Sequence, residues 1–116
     1  MTGTPFDARV RLEDGDTVLE LHGDINRSAQ DRLGEVYDTA PAPERRLLLD
    51  FEHVDYINST GIALIVGVLA KARAAGHDVA AYGLTDHYLE IFKITRLSDF
   101  MTIYDDDKSA AVAASD

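Results

Sequence analysis

The stretch Asp55-Tyr56-Ile57-Asn58-Ser59-Thr60-Gly61-Ile62 decides the reading of this chain. An extended run ends there and an uncharged helical run begins. Asn58, Ser59 and Thr60 are all residue types that cap helix N-termini, because a short polar side chain accepts from a free backbone N–H of the first turn. Residues 61–70 then carry no charged side chain. A hydroxyl at the mouth of an apolar helix has two readings. One is an ordinary cap before a core helix. The other is a phosphorylation switch on a docking surface, since a helix start favours anions.

Working outward, Arg46-Leu47-Leu48-Leu49-Asp50-Phe51 is a short apolar run, too short for an average helix. It fits a central strand buried on both faces. Further upstream, Ala8, Val10 and Leu12 alternate with Arg9 and Arg11. Glu13-Asp14-Gly15-Asp16 is a turn signal, and Leu19 and Leu21 then alternate with Glu20 and His22. These two runs read as a β-hairpin. Ser28 followed by Asp31 resembles a capping box. The helix it opens has Ala29, Leu33, Val36, Tyr37 and Ala40 on one face, and Pro41 and Pro43 end it.

Downstream of the corner, Gly76 suits the residue just past a helix end. Residues 79–82 read as a strand. Thr85 is a cap, with Leu84 and Leu89 placed for a hydrophobic staple. Tyr88, Leu89, Ile91 and Phe92 supply the apolar face of that helix. Residues 100–104 read as a last strand. Asp105-Asp106-Asp107 either opens a short Ala-rich helix or begins a flexible tail over residues 105–116. Strands alternating with helices after a hairpin imply an α/β fold with a mixed sheet of about five strands.

The chain has 116 residues, enough for a single domain over residues 1–116 with one core. Its apolar share of 46% and charged share of 28% are those of a soluble globular protein. With no cysteine, there is neither a disulfide framework nor a thiolate metal site. No secretory signal is evident at the start, and no apolar run approaches the roughly 20 residues that span a bilayer. The expectation is a cytoplasmic protein with no membrane association. Net charge is −10, from 21 acids against 11 bases. Such a surface repels nucleic acid, whose binding rests on Lys and Arg. A basic protein surface is the better match.

Other chemistry is weakly signalled. His53, Asp55 and Ser59 are the ingredients of a triad, but the serine lacks a Gly-x-Ser-x-Gly elbow, and triads are defined by geometry. His87 and Glu90 are neighbours on a helix and lack a third metal ligand. Gly61 and Gly67 fit close helix packing better than a phosphate loop. The expectation is a protein that is not an enzyme and that uses no cofactor or metal. Ile62, Val66 and Leu69 form one stripe of the apolar helix, and Leu64, Ile65 and Val68 cover much of the rest. One helix of a small domain does not bury every side. Part of this surface near Ser59, including Ile62 and Val66, is therefore expected to be exposed and to receive a partner.

The combination resembles the STAS domain family, the sulfate transporter and anti-sigma factor antagonist fold. Leu21-His22-Gly23-Asp24-Ile25-Asn26 looks like that family's strand-end Gly-Glu-Leu-Asp loop. Ile57-Asn58-Ser59-Thr60-Gly61-Ile62 is similar to its Asp-Ser-[Ser/Thr]-Gly-Leu signature. The order of elements matches over nearly the whole chain, with helices packed mainly on one face of the sheet. The resemblance implies a bacterial anti-sigma factor antagonist that binds an anti-sigma factor, itself often a serine kinase. It also implies that phosphorylation switches the antagonist off, at the position occupied here by Ser59. The surface it implies for the partner comprises Asp24, Ile25, Asn26, Asn58, Ser59, Thr60, Gly61, Ile62 and Val66. Asn58 and Asn26 stand where the family usually carries Asp, so each removes a carboxylate and keeps an amide. The alternative is an unmodified scaffold or small-ligand sensor in a signalling complex.

Overall fold

The structure, a computed structural model, describes residues 3–106 and 109–110. Its elements run β1 (Asp7–Glu13), β2 (Asp16–Ile25), α1 (Gln30–Thr39), β3 (Arg46–Ile57), α2 (Ser59–Ala74), β4 (Asp78–Tyr82), α3 (Asp86–Ile94) and β5 (Thr102–Tyr104). Single 3-10 turns at Arg27–Ala29 and Leu97–Asp99 precede α1 and follow α3. The five strands form one sheet in the order β1-β2-β3-β4-β5. The hairpin pair β1–β2 is antiparallel and every later pair is parallel, which is the expected mixed sheet. Positive φ at Asp14 and Gly15 makes the hairpin turn.

Alternation along the strands sorts side chains onto two faces. Leu19, Leu21, Leu47, Leu49, Phe51, Val79 and Ala81 point to one face, and the buried residues of all three helices join them in a single core. Phe51 meets Phe92 edge-on, with ring centroids 5.7 Å apart. The opposite face has a second, smaller cluster of Val18, Leu48, Ala80, Tyr82 and Ala110. Beside it lies a polar network. Arg11 forms ion pairs with Glu13, Glu20 and Asp50 and donates to the Tyr82 hydroxyl at 2.6 Å. Asp50 is 2% exposed, and its other oxygen accepts from the Glu52 amide at 2.9 Å. Glu20 also meets His22, whose ring stacks on His53 with centroids 4.8 Å apart. Burial, with the Asp50 charge beside it, pushes the Tyr82 phenol far above its ordinary value.

Several boundaries differ from the sequence reading. Strand β3 runs to Ile57 rather than stopping at Phe51. Only β2 pairs with its second half, because β4 is paired no further than Asp50. Two register shifts, at Glu20/His22 and Gly23/Asp24, each place an additional residue on β3. The bulges break the two-residue period, so no alternation marks this half in the sequence. Strand β5 begins at Thr102, since Phe100 closes the preceding turn by donating its amide to the Leu97 carbonyl. Ser28 is not the cap before α1. Asn26 caps the 3-10 turn ahead of it, its Oδ1 accepting from both the amide and the hydroxyl of Ser28, and α1 itself begins after Ala29 with no side-chain cap. The chain enters α1 through a 3-10 turn, which moves the cap upstream. Gly76 does end α2, with His77 N–H donating to Ala72 and Gly76 N–H to Arg73 in a Schellman arrangement. Past β5, the Asp106 carboxylate accepts from Ser109 N–H at 2.8 Å, while residues 107–108 and 111–116 of the expected helix or tail lie outside the described residues.

Two outcomes follow from these contacts. The buried Tyr88 hydroxyl accepts from Ile57 N–H at 2.8 Å, tying the end of β3 to α3. Tyr88→Phe leaves that amide buried without a partner, and urea unfolding is expected to show a loss of about 1–3 kcal/mol. Glu20 is held below its ordinary 4.5 by the hydrogen bond from His22 and by Arg11. A depressed carboxylate stabilises the fold above the unfolded value and loses that contribution as pH falls through the folded one. Glu20→Gln is therefore expected to be less stable than wild type at pH 7 and to lose less stability on acidification below about 4.5, read from Tm against pH.

Candidate functional site

The candidate site is built where two parallel strands end together. Ile25 and Ile57 are register partners at the last rung of β2 and β3. Asn58 N–H donates to the Ile25 carbonyl at 3.2 Å, closing the corner before the helix begins. Parallel strands bring the loops that follow them to one edge of the sheet, so the 23–26 and 58–62 segments lie side by side.

Asn58 is the N-cap of α2. Its backbone is extended, and its Oδ1 accepts from Gly61 N–H at 2.8 Å. Ser59 and Thr60 are thus the first two helical residues rather than caps. Both are exposed. With the cap supplied by Asn58, the Ser59 hydroxyl makes no hydrogen bond among the described residues. The Ser59 and Thr60 amides, as first-turn donors, also lack an intrahelical acceptor. The corner therefore presents a free hydroxyl beside two free N–H groups and the positive end of a 16-residue helix.

Gly61 is fixed by space. A Cβ there would lie 2.0 Å from the Ile25 carbonyl oxygen, so only glycine lets the first turn of α2 sit on the end of β2. Gly23 has φ +80° and is crossed by the N-terminal segment, with a Cβ falling 2.3 Å from the Pro5 carbonyl oxygen. Thr4 then clasps Asp24 from both sides. Its amide donates to Asp24 Oδ2 at 3.2 Å, and its carbonyl accepts from Asp24 N–H at 3.0 Å.

The expected surface residues are distributed unevenly. Ser59, Thr60 and Val66 are exposed, Val66 to 44%. Asp24, Asn26, Asn58 and Ile62 are half-buried, and both asparagines use their Oδ1 atoms as caps. Ile25 and Gly61 are buried and frame the corner from beneath. On α2 the buried side consists of Ile65, Val68, Leu69 and Ala72, while Ala63, Val66, Gly67 and Ala70 face outward. The helix is therefore apolar on its exposed side as well.

Sequence reasoning missed three contributors. Tyr56, directly across from Asp24 in register, is 53% exposed on the rim. It falls in the part of β3 that the bulges conceal. Thr4 and Tyr88 act through backbone atoms distant in sequence, for which no local signal exists. The triad ingredients do not assemble: His53 stacks on His22, and no base is hydrogen-bonded to Ser59 among the described residues. No helix of the described residues is long and apolar enough to cross a membrane.

Comparison with known proteins places this geometry. A family model described as "Mlab, STAS domain" matches residues 8–103. The anti-sigma-B factor antagonist of Listeria monocytogenes is 29% identical over 82 residues, covering 70% of this chain and 72% of that protein. A solved anti-sigma-factor antagonist (STAS) domain protein from Planctomyces limnophilus superposes with a TM-score of 0.77 at 19% identity, over 95% of this chain and 99% of that one. An anti-sigma factor antagonist from Mycobacterium paratuberculosis gives a TM-score of 0.71 at 21% identity, over 97% and 96% of the two chains. With residues 8–103 of its 116 matched by the family model, this chain belongs to the STAS domain family.

Proposed function

We infer that this protein is an anti-sigma factor antagonist of the cytoplasm. It binds an anti-sigma factor that is also a serine kinase, and phosphorylation of Ser59 releases it. The same reading takes residues 1–116 as one STAS domain. The observation that carries the inference is the Ser59 hydroxyl, exposed and without a hydrogen bond among the described residues because Asn58 caps the helix in its place. The relatives named above are the reason for seeking the partner among anti-sigma factors.

The physics of the switch follows from its position. A phosphate adds about −1.5 to −2 charge at neutral pH. At the first helical position it meets free amides and the favourable end of the dipole, so the helix is not melted. The effect falls on the contact with the partner. A hydrated dianion placed in a fitted, dry interface costs desolvation energy unless cations meet it. A loss of about 3 kcal/mol weakens binding roughly a hundredfold, which is enough for a switch.

Asn26 and Asn58 fit this scheme as structural groups. Each amide oxygen already serves as a cap acceptor, a role a carboxylate also fills. The unmodified scaffold or ligand sensor remains the second reading, because two positions that carry acids in the family are neutral here. Incubation of the protein with ATP and candidate anti-sigma factor kinases of its source organism, followed by mass spectrometry, is expected to show one phosphate on Ser59. Ser59→Ala is expected to keep kinase binding within about threefold and Ser59→Asp to weaken it at least about tenfold, measured by calorimetry. Equal binding by both variants, with no modification, supports the scaffold instead. Asn58→Ala removes the cap and is expected to cost about 1 kcal/mol in urea unfolding.

A further inference from the structure

The exposed side of α2 leads away from Ser59 into an open groove of about 320 Å³. Its floor is apolar, made by Val66, Leu69 and Ala70 of α2 and by Leu97 and Phe100 beyond α3. Phe100 is 50% exposed, although it is a large aromatic on a surface that has polar alternatives. Two guanidiniums also line the groove, those of Arg73 and Arg96, and no carboxylate does among the described residues. Arg73 lies over the Phe100 ring at 5.4 Å and donates to the Phe100 carbonyl, but it has no acidic partner among the described residues. Arg96 makes no side-chain hydrogen bond or ion pair there at all. In a chain with 21 acids and 11 bases, a groove lined by two cations is unusual; the nearest acids, Asp78 and Asp99, line the adjoining cleft on the other side of Arg73 and Phe100.

We propose that this groove receives an acidic amphipathic helix of the anti-sigma factor. Val66, Ala70 and Arg73 stand exposed at i, i+4 and i+7 over the buried Leu69, a stripe of the kind that a second helix packs against. Gly67 beside the stripe is exposed, and a Cβ there would meet nothing within 4 Å, so a helix can approach the α2 backbone closely. An extended peptide is not favoured, because helical backbone offers no free strand edge. Apolar side chains of the incoming helix fill the floor, and its acids meet Arg73 and Arg96. Whole-chain charge points to a basic partner surface, whereas this groove requires acids at one place on it. The arginines thereby fix the orientation of the partner along α2, since like charges there are repelled. The partner's identity rests on the antagonist reading; the groove's preference for an acidic helix does not.

The test is an NMR titration of the full chain with a synthetic helical peptide of about four turns. The peptide carries Leu and Phe at i, i+3, i+4 and i+7, with Glu on the flanks; a second peptide carries Lys instead. The amides of Ala70, Arg73, Leu97 and Phe100 are expected to shift and saturate with the Glu peptide, and the Lys peptide to bind at least about tenfold more weakly. Arg73→Glu/Arg96→Glu is expected to invert that preference. Against the anti-sigma factor kinase, the double variant is expected to bind at least about tenfold more weakly while still being phosphorylated at Ser59, which shows that it is folded. Equal binding of the two peptides, shifts scattered over the surface, or wild-type kinase binding by the double variant overturns the proposal. So does a dimer of the free protein that Phe100→Asp converts to monomer, because the occupant is then a second copy. Failure of Ser59 modification with the peptide preference intact removes the antagonist reading alone.

Discussion

The corner depends on a contact between backbones. The first turn of α2 rests on the carbonyl of Ile25, with room at Gly61 for a hydrogen and nothing larger. The same carbonyl accepts from Asn58 N–H, so one oxygen anchors both the end of β3 and the beginning of the helix. From that anchor the axis of α2 is set across the sheet. Ile65, Val68, Leu69 and Ala72 then fall into the core, and Ala63, Val66, Gly67 and Ala70 are left outside. The exposed hydroxyl of Ser59 is a consequence of this constraint. The cap has to come from Asn58, because the chain has not yet turned helical there.

The two faces of the sheet solve the burial problem differently. Under the helices the solution is apolar packing, which needs no particular partner geometry. On the other face Asp50 is nearly inaccessible, and a buried carboxylate is tolerated only when it is paired and hydrogen-bonded. Arg11, reaching across from β1, together with the Glu52 amide, provides this. The β1–β2 hairpin therefore covers an edge and also delivers the cation that the central strand requires. That arrangement is costly to break at a single member, since an uncompensated charge is left behind.

Charge is distributed so that the corner and the groove can act as parts of one surface. At the corner, free amides and a helix dipole offer a weak positive field where a phosphate would sit. Farther along, Arg73 of α2 and Arg96 beyond the end of α3 supply full charges beside an apolar floor. Between them lies an uncharged strip of small residues, which permits close approach but provides little orientation by itself.

The amino-acid sequence determined the alternation of strands and helices, the hairpin, the Gly76 stop and the place of Ser59 at a helix mouth. Each is set by local periodicity, turn chemistry or a backbone that only glycine adopts, and these act over a few residues. The family signature in residues 57–62 was read from its resemblance to the family's motif, which also lies within a few residues. Tertiary structure decided the rest. Which of Asn58, Ser59 and Thr60 caps the helix depended on where β3 ended, and two bulges against β2 set that end. The burial of Asp50, the clasp of Thr4 on Asp24, the exposure of Tyr56 and the placing of Val66 and Phe100 around one groove all depend on segments far apart in the chain. No periodicity records such contacts, because they exist only once the sheet has brought its strands together.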